Sequence, residues 1–143
     1  MNAVAADTPS LASRALPWLL LLYCGASVLH FTHNAECLAE YPNLPEWMSR
    51  ASIYMAWCAI FGVGLLGYVL FRRGHTGPGL ALLASYAAFG LDGLLHYGRA
   101  PMSSHTFGMN FTIWFEVVMA ALSLAAVLWL AASQVLRSQA APR

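Results

Sequence analysis

The chain is predicted to be an all-α integral membrane protein, an up-down bundle of four spanning helices with both termini in the cytoplasm. Three observations carry that expectation. Hydrophobic residues fill 59% of the 143 positions and charged residues only 9%, with a mean hydropathy of +0.60, whereas a soluble domain is about 25% charged. One domain of this length cannot bury so much apolar surface in its own core, so lipid has to cover much of it. The apolar residues also fall into four stretches of roughly the length that crosses a bilayer, and the arginines are divided unequally between the connecting segments.

The first span is expected over about 16–33. It would be short if it stopped at Phe31, so it should continue through His33. The second is expected over about 48–71, the third over about 79–97 and the fourth over about 107–132. Pro17, Pro45 and Pro78 stand at or just before the expected helix starts, where a missing N–H costs little, and Pro101 punctuates the loop before the last span. The polar ends, Met1 to about Ser13 and Ser133 to Arg143, are expected to fray. No repeat or linker breaks the pattern, so residues 1–143 read as one domain. The first span does not read as a cleaved leader. Asp7 and a lone Arg14 make a poor charged start, and Tyr23 is too large for the small position of a lipoprotein box.

Orientation follows from charge. Arg14, Arg72, Arg73, Arg137 and Arg143 fall on the side of the termini, against Arg50 and Arg99 on the other, five against two. The positive-inside rule then puts the termini in the cytoplasm and the 32–47 and 98–106 connections outside. Seven basic residues, all arginine, and a net charge of +1 give no electrostatic footprint for nucleic acid. The absence of lysine beside abundant Ala, Leu and Arg is the composition of a GC-rich bacterial gene, which makes the inner membrane the expected location. Membrane lipid and helix-mediated self-association are the partners this composition allows. Cys24, Cys37 and Cys58 lack CxxC spacing, and an odd number argues against a disulfide framework.

The polar residues within the spans are concentrated at one end of the bundle. His30, His33, Asn34, Glu36, Cys37 and Glu40 close the first span, Asp92 and His96 close the third, and His105, Asn110 and Glu116 open the fourth. Antiparallel spans put all of these in the outward half. Ionisable groups inside a membrane are costly and mark function by default. His30 and His33 are three residues apart, and Asp92 and His96 four, as are Thr112 and Glu116, so each pair shares a helix face. Glu116 lies about ten residues past Thr106, roughly 15 Å deep at ~1.5 Å per residue.

Imidazole and carboxylate are ligands for Zn, Cu, Fe and Ni, and helix pairs that project ligands inward are how bundles build metal sites. His30, His33, Asp92, His96 and His105 are therefore the candidate metal ligands. Glu116 and Asn110 are candidates for a supporting shell or a proton shuttle. The expected function is an outward-facing metal-binding membrane protein that binds or moves a divalent or copper-type ion, or uses it on a lipid. Met102 and Met109 would add soft sulfur for copper. One alternative is a b-type haem protein with His30 and His96 as axial ligands and Gly25, Gly90 and Gly93 making room for the ring. Another is a metal-free lipid-binding or isomerase-like cavity in which Asp92, His96 and Glu116 move a proton against an apolar wall of Trp57, Trp114 and Phe115. A purely structural network is the fourth, with Asp92 pairing to His96 and Glu116 bonding Asn110 or Tyr54. Interhelical polar contacts average only about 1 kcal/mol, weak glue for groups so costly to bury.

Two motifs fall away. Gly62-Val-Gly-Leu-Leu-Gly67 matches a dinucleotide-binding pattern but lies inside an apolar span with no strand before it, so it reads as a close helix–helix contact. Asn110-Phe-Thr matches a glycosylation acceptor too near the membrane to be used. Tyr41, Trp47 and Tyr97 are expected in one interfacial belt, and Trp18 and Trp129 in the other. The stretch from Tyr41 to Met48 reads as an interfacial connection, or a lid over the polar site.

Overall fold

The computed structural model describes residues 11–140. Its long elements are α1 (Leu11–Glu36), α2 (Arg50–Arg72), α3 (Thr76–Phe89), the one-turn α4 (Leu95–Arg99) and α5 (Phe107–Ala140). Residues Gly90–Leu94 form a tighter 3₁₀ stretch between α3 and α4, which carries the third span through to Arg99. Among the described residues there is no strand, and four helices are long and apolar enough to cross a membrane.

The partners across each interface give the topology. Leu16 packs with Val127 and Leu130, Tyr23 with Ala120, and His30 reaches Thr112. Numbers that rise on α1 as they fall on α5 mean the two helices are antiparallel. The same inversion relates α2 and α3, where Gly67 faces Gly79 and Leu83 while Gly64 faces Tyr86. The α2–α3 contact is close because glycine makes it so. A Cβ at Gly79 would stand 2.5 Å from the Phe71 backbone nitrogen, and one at Gly64 would stand 2.6 Å from the Tyr86 ring. Gly64 and Gly67 of the glycine-rich run thus form a packing surface, as their place inside an apolar span predicts, while a Cβ at Gly62 would meet nothing within 4 Å.

The interior is layered. At the end nearer the termini, Leu16, Leu80, Leu83, Val127 and Leu130 form a fully apolar cluster. Above it lie Tyr23, Tyr86 and Ala120, where the Tyr23 hydroxyl donates to the Tyr86 carbonyl at 2.9 Å. The next layer is polar, with Ser27, His30, Thr112 and Glu116 all buried. Large side chains on the outside, among them Trp18, Leu21, Leu65, Trp129 and Leu136, are more than half exposed, as lipid-facing positions of a spanning bundle should be.

Several expected boundaries move. α1 begins at Leu11, so Pro17 lies inside the helix rather than at its start; the bonds of neighbouring turns hold a helix across one missing N–H within a span. α2 begins at Arg50, five residues beyond Pro45, because Ser49 and Ser52 cap it reciprocally. The expected fraying at Ser133 does not occur, since α5 runs to Ala140. The other expectations for the ends, at residues 1–10 and at Arg143, lie outside the described residues.

Candidate functional site

The polar layer is built where the third span changes its winding. Gly90 and Gly93 weaken the helix there, and Gly90 admits a close crossing that no other residue would, because a Cβ on it would stand 2.5 Å from the Tyr23 hydroxyl and 2.6 Å from Ala120. Irregular backbone at membrane depth is tolerated only where it is buried or lines a cavity, and short 3₁₀ segments within a helix often mark functional hinges. Here the stretch lines a cavity of about 140 Å³, bounded by His30, Phe31, Asn34, Ile60, Phe89, Asp92, Gly93, His96 and Glu116.

Within it, Asn34 sits between two imidazoles. Its amide nitrogen lies 3.0 Å from His30 Nε2 and 3.4 Å from His96 Nε2, so it donates to both. That fixes the direction of the chain beyond. His30, with Nε2 accepting, carries its proton on Nδ1 and donates to Thr112 Oγ1 at 3.3 Å. The Thr112 hydroxyl donates in turn to the Met109 carbonyl at 3.1 Å. Glu116 Oε2 stands 3.6 Å from His30 Nε2, with both side chains almost wholly buried. A proton on Glu116 passes to His30 Nε2 only if Asn34 first gives up its hydrogen bond there.

Asn34 Oδ1 is buried without a hydrogen-bond partner; Glu116 Oε1 and Ser27 Oγ also lack a well-formed one, but lie near enough for the Ser27 hydroxyl to act on the Glu116 carboxyl. Leaving one such atom unpaired costs roughly 1–3 kcal/mol, so their grouping calls for an explanation. Asp92 adds a carboxyl at the exposed mouth of the cavity. Neither arginine at this end of the bundle lines the cavity. Arg50 pairs with Glu36 and Arg99 bonds the Asn43 carbonyl.

The remaining candidates form a cover. His33 turns away from the cavity, and its Nδ1 shares a hydrogen bond with the Tyr41 hydroxyl at 2.9 Å. Tyr41 is buried, its ring 5.0 Å from that of His96, and burial pushes its phenol pKa above the usual range. His105 is buried over Tyr97 and 6.2 Å from the His96 ring, with Nδ1 on the Pro101 carbonyl and Nε2 unpartnered. Asn110 does not approach Glu116; it clamps the loop before α5, accepting from the Tyr97 hydroxyl at 2.8 Å and donating to the Met102 and His105 carbonyls. Tyr54 bonds Glu36 instead of Glu116.

Of the five sequence-derived ligand candidates, the cavity thus collects His30, Asp92 and His96, and Glu116 joins them. His33 and His105 lie in the layer above. Among the described residues no three His, Cys, Asp or Glu side chains stand close enough to share one ion. The apolar wall is Phe31, Ile60 and Phe89. The expected Trp57 and Trp114 instead stack outside it, on Phe61 and Tyr97. Of the three glycines expected to make room for a haem, Gly90 is closed off by Tyr23 and Ala120, while a Cβ at Gly25 would meet nothing within 4 Å. Asn34, Ser27 and Tyr41 were not among the predicted site residues. Asn34 was within reach, four residues after His30 on the same stripe. Nothing in the sequence distinguishes Ser27 or Tyr41 from ordinary packing residues.

Comparison with protein-family models, with curated proteins and with solved structures finds no match. The chemistry is therefore read from the residues themselves.

Proposed function

We propose that the chain is an intramembrane binding protein whose His30–Asn34–Asp92–His96–Glu116 cavity takes the polar group of a lipid-soluble molecule, with His30 and Glu116 able to pass a proton to or from it. The observation that carries this reading is the unpartnered Asn34 Oδ1, buried on the same cavity as the Glu116 carboxyl. A ligand that donates hydrogen bonds satisfies both. General acid–base work needs a proton donor beside a base of matched strength, and the Glu116–His30 pair at 3.6 Å supports that chemistry.

One observation favours a metal as the second reading. Two ligands of a tetrahedral zinc, each about 2.0–2.1 Å from the ion, stand roughly 3.4 Å apart. His30 Nε2 and Glu116 Oε2 are 3.6 Å apart. Rotation of the Asn34 amide would free His96 Nε2 as a third donor, with Asp92 at the mouth. The haem reading fits less well, because a cavity of about 140 Å³ lies below the ~300–1,000 Å³ of small-molecule sites. The arginine distribution supports cytoplasmic termini and an outward-facing cavity, in the inner membrane of a bacterial host.

Purification in mild detergent without chelator, followed by mass spectrometry of co-purified small molecules and metals, tests the assignment. Wild type should retain a lipid-soluble species that Glu116→Met loses. A near-stoichiometric metal lost in the same variant would replace this reading with the second, and identical inventories for both proteins would remove both.

A further inference from the structure

A second cavity of about 430 Å³ lies on the flank of the bundle, lined by Leu20, Leu21 and Cys24 of α1, Phe61 and Leu65 of α2, and Tyr86 of α3, among others. This volume does fall within the range of small-molecule sites. The groove is almost wholly apolar and open sideways, with Trp18, Leu21 and Leu65 each more than half exposed.

The groove and the polar cavity follow the same seam. On α1 the groove takes Pro17, Leu20, Leu21 and Cys24, and the polar cavity takes His30, Phe31 and Asn34. Steps of three and four residues keep these positions on one face of the helix. Ser27 stands three residues from Cys24 and three from His30, on the stretch of α1 between the two. On α2, Ile60 faces the polar cavity while Phe61, Gly64 and Leu65 face the groove. On α3, Phe89 and Tyr86 divide in the same way. From Asn34 back to Pro17 is 17 residues, about 25 Å of helix at ~1.5 Å per residue, most of the ~30 Å hydrocarbon core.

We propose that cavity and groove are the two ends of one site, which takes a single-chain amphiphile with a small hydrogen-bond-donating head, a hydroxyl or an amine, and no phosphate. This rests on the ligand-binding role proposed for the polar cavity and specifies its substrate class. The head follows from the donors and acceptors present. Asn34 Oδ1, Glu116 Oε1 and the Asp92 carboxyl all accept, and no Arg or Lys lines the cavity to balance a phosphate. The tail follows from the groove, which is apolar and open to the side, as entry from a bilayer requires.

The test uses the full chain in nanodiscs of dimyristoylphosphatidylcholine and a hexadecanol probe bearing a diazirine in its chain. Photolabelling should map to α1 and α2 around Leu21, Phe61 and Leu65. Excess hexadecanol or hexadecylamine should reduce it at least tenfold, and hexadecyl phosphate should not. Leu21→Trp/Leu65→Trp fills the groove at exposed positions where the fold is not at stake, and should lower labelling by a similar factor, as should Glu116→Met. Labelling that neither competitor nor variant changes is annular lipid only and overturns the proposal. A short-chain probe, a diazirine-bearing butanol, separates the two readings. If Glu116→Met abolishes labelling by both probes and the groove variant affects neither, the tail assignment falls and the polar cavity stands. If neither probe depends on Glu116, both readings fall.

Discussion

The two ends of the bundle are made from the same four helices and solve opposite problems. At the end nearer the termini, Leu16, Leu80, Leu83, Val127 and Leu130 interlock without a polar atom among their side chains, and Gly64, Gly67 and Gly79 draw α2 against α3. At the other end the core holds His30, Thr112 and Glu116, the third span loses its α-helical winding, and the buried Asn34 Oδ1 is left without a donor. The first arrangement is what packing alone selects. The second is poorer as packing, and that difference is what supports the proposal that it is the functional end. Residues that violate local rules without a compensating contact are where function is expected.

The largest effect that separates the two ends belongs to the close α2–α3 contact. Gly79→Leu forces a side chain into the Phe71 backbone, with a Cβ–N approach of 2.5 Å before any further atoms are added. Overpacking against an unyielding backbone costs typically 1–3 kcal/mol and sometimes more. The variant should be recovered poorly from membranes and elute as aggregate in size-exclusion chromatography. A monodisperse variant that melts like wild type would show that this contact does not hold the bundle.

A smaller effect sharpens the comparison at the polar end. Tyr41 covers the site from the 37–49 connection, and burial raises its phenol above the ordinary value of 10.0. The folded protein keeps a proton that the unfolded chain releases. That contribution is complete below pH 10.0 and is lost as pH rises through and beyond that value. Tyr41→Phe removes the hydrogen bond to His33, worth about 1 kcal/mol, and with it this pH dependence. Thermal melts between about pH 9 and pH 11 should fall more steeply for wild type than for the variant. Parallel slopes would mean that the cover is not closed over His33.

Much of this contrast is legible in the sequence. Four apolar runs and the placement of every membrane-embedded acid at one end predict a bundle with a polar end, and Asp92 and His96 at helical spacing predict that they face the same cavity. What spacing leaves open is phase. His30 and His33 differ by about 60° around a helix with 3.6 residues per turn, and only packing against α5 decides that His30 points at Thr112 and His33 at Tyr41. The roles of Asn34 and Asn110 are undetermined for a related reason. An amide four or five residues from a histidine reads the same in sequence whether it bridges two imidazoles or clamps a loop. The break in the third span is foreshadowed by Gly90 and Gly93, but that it is needed for the Tyr23 crossing depends on a neighbour 67 residues away in the chain.

The central claim is that the polar end is shaped for a ligand and not for stability, and Glu116 tests it most directly. In Glu116→Met a length-matched apolar side chain replaces a buried carboxyl whose Oε1 lacks a well-formed hydrogen bond. The melting temperature of wild type and variant should be measured in the same detergent after exhaustive washing to remove bound lipid. If the claim holds, the variant is more stable by about 1–3 kcal/mol and melts several degrees higher. A variant that melts lower than wild type would mean that Glu116 fastens the helices together, and would contradict the claim that the polar end is built for a ligand.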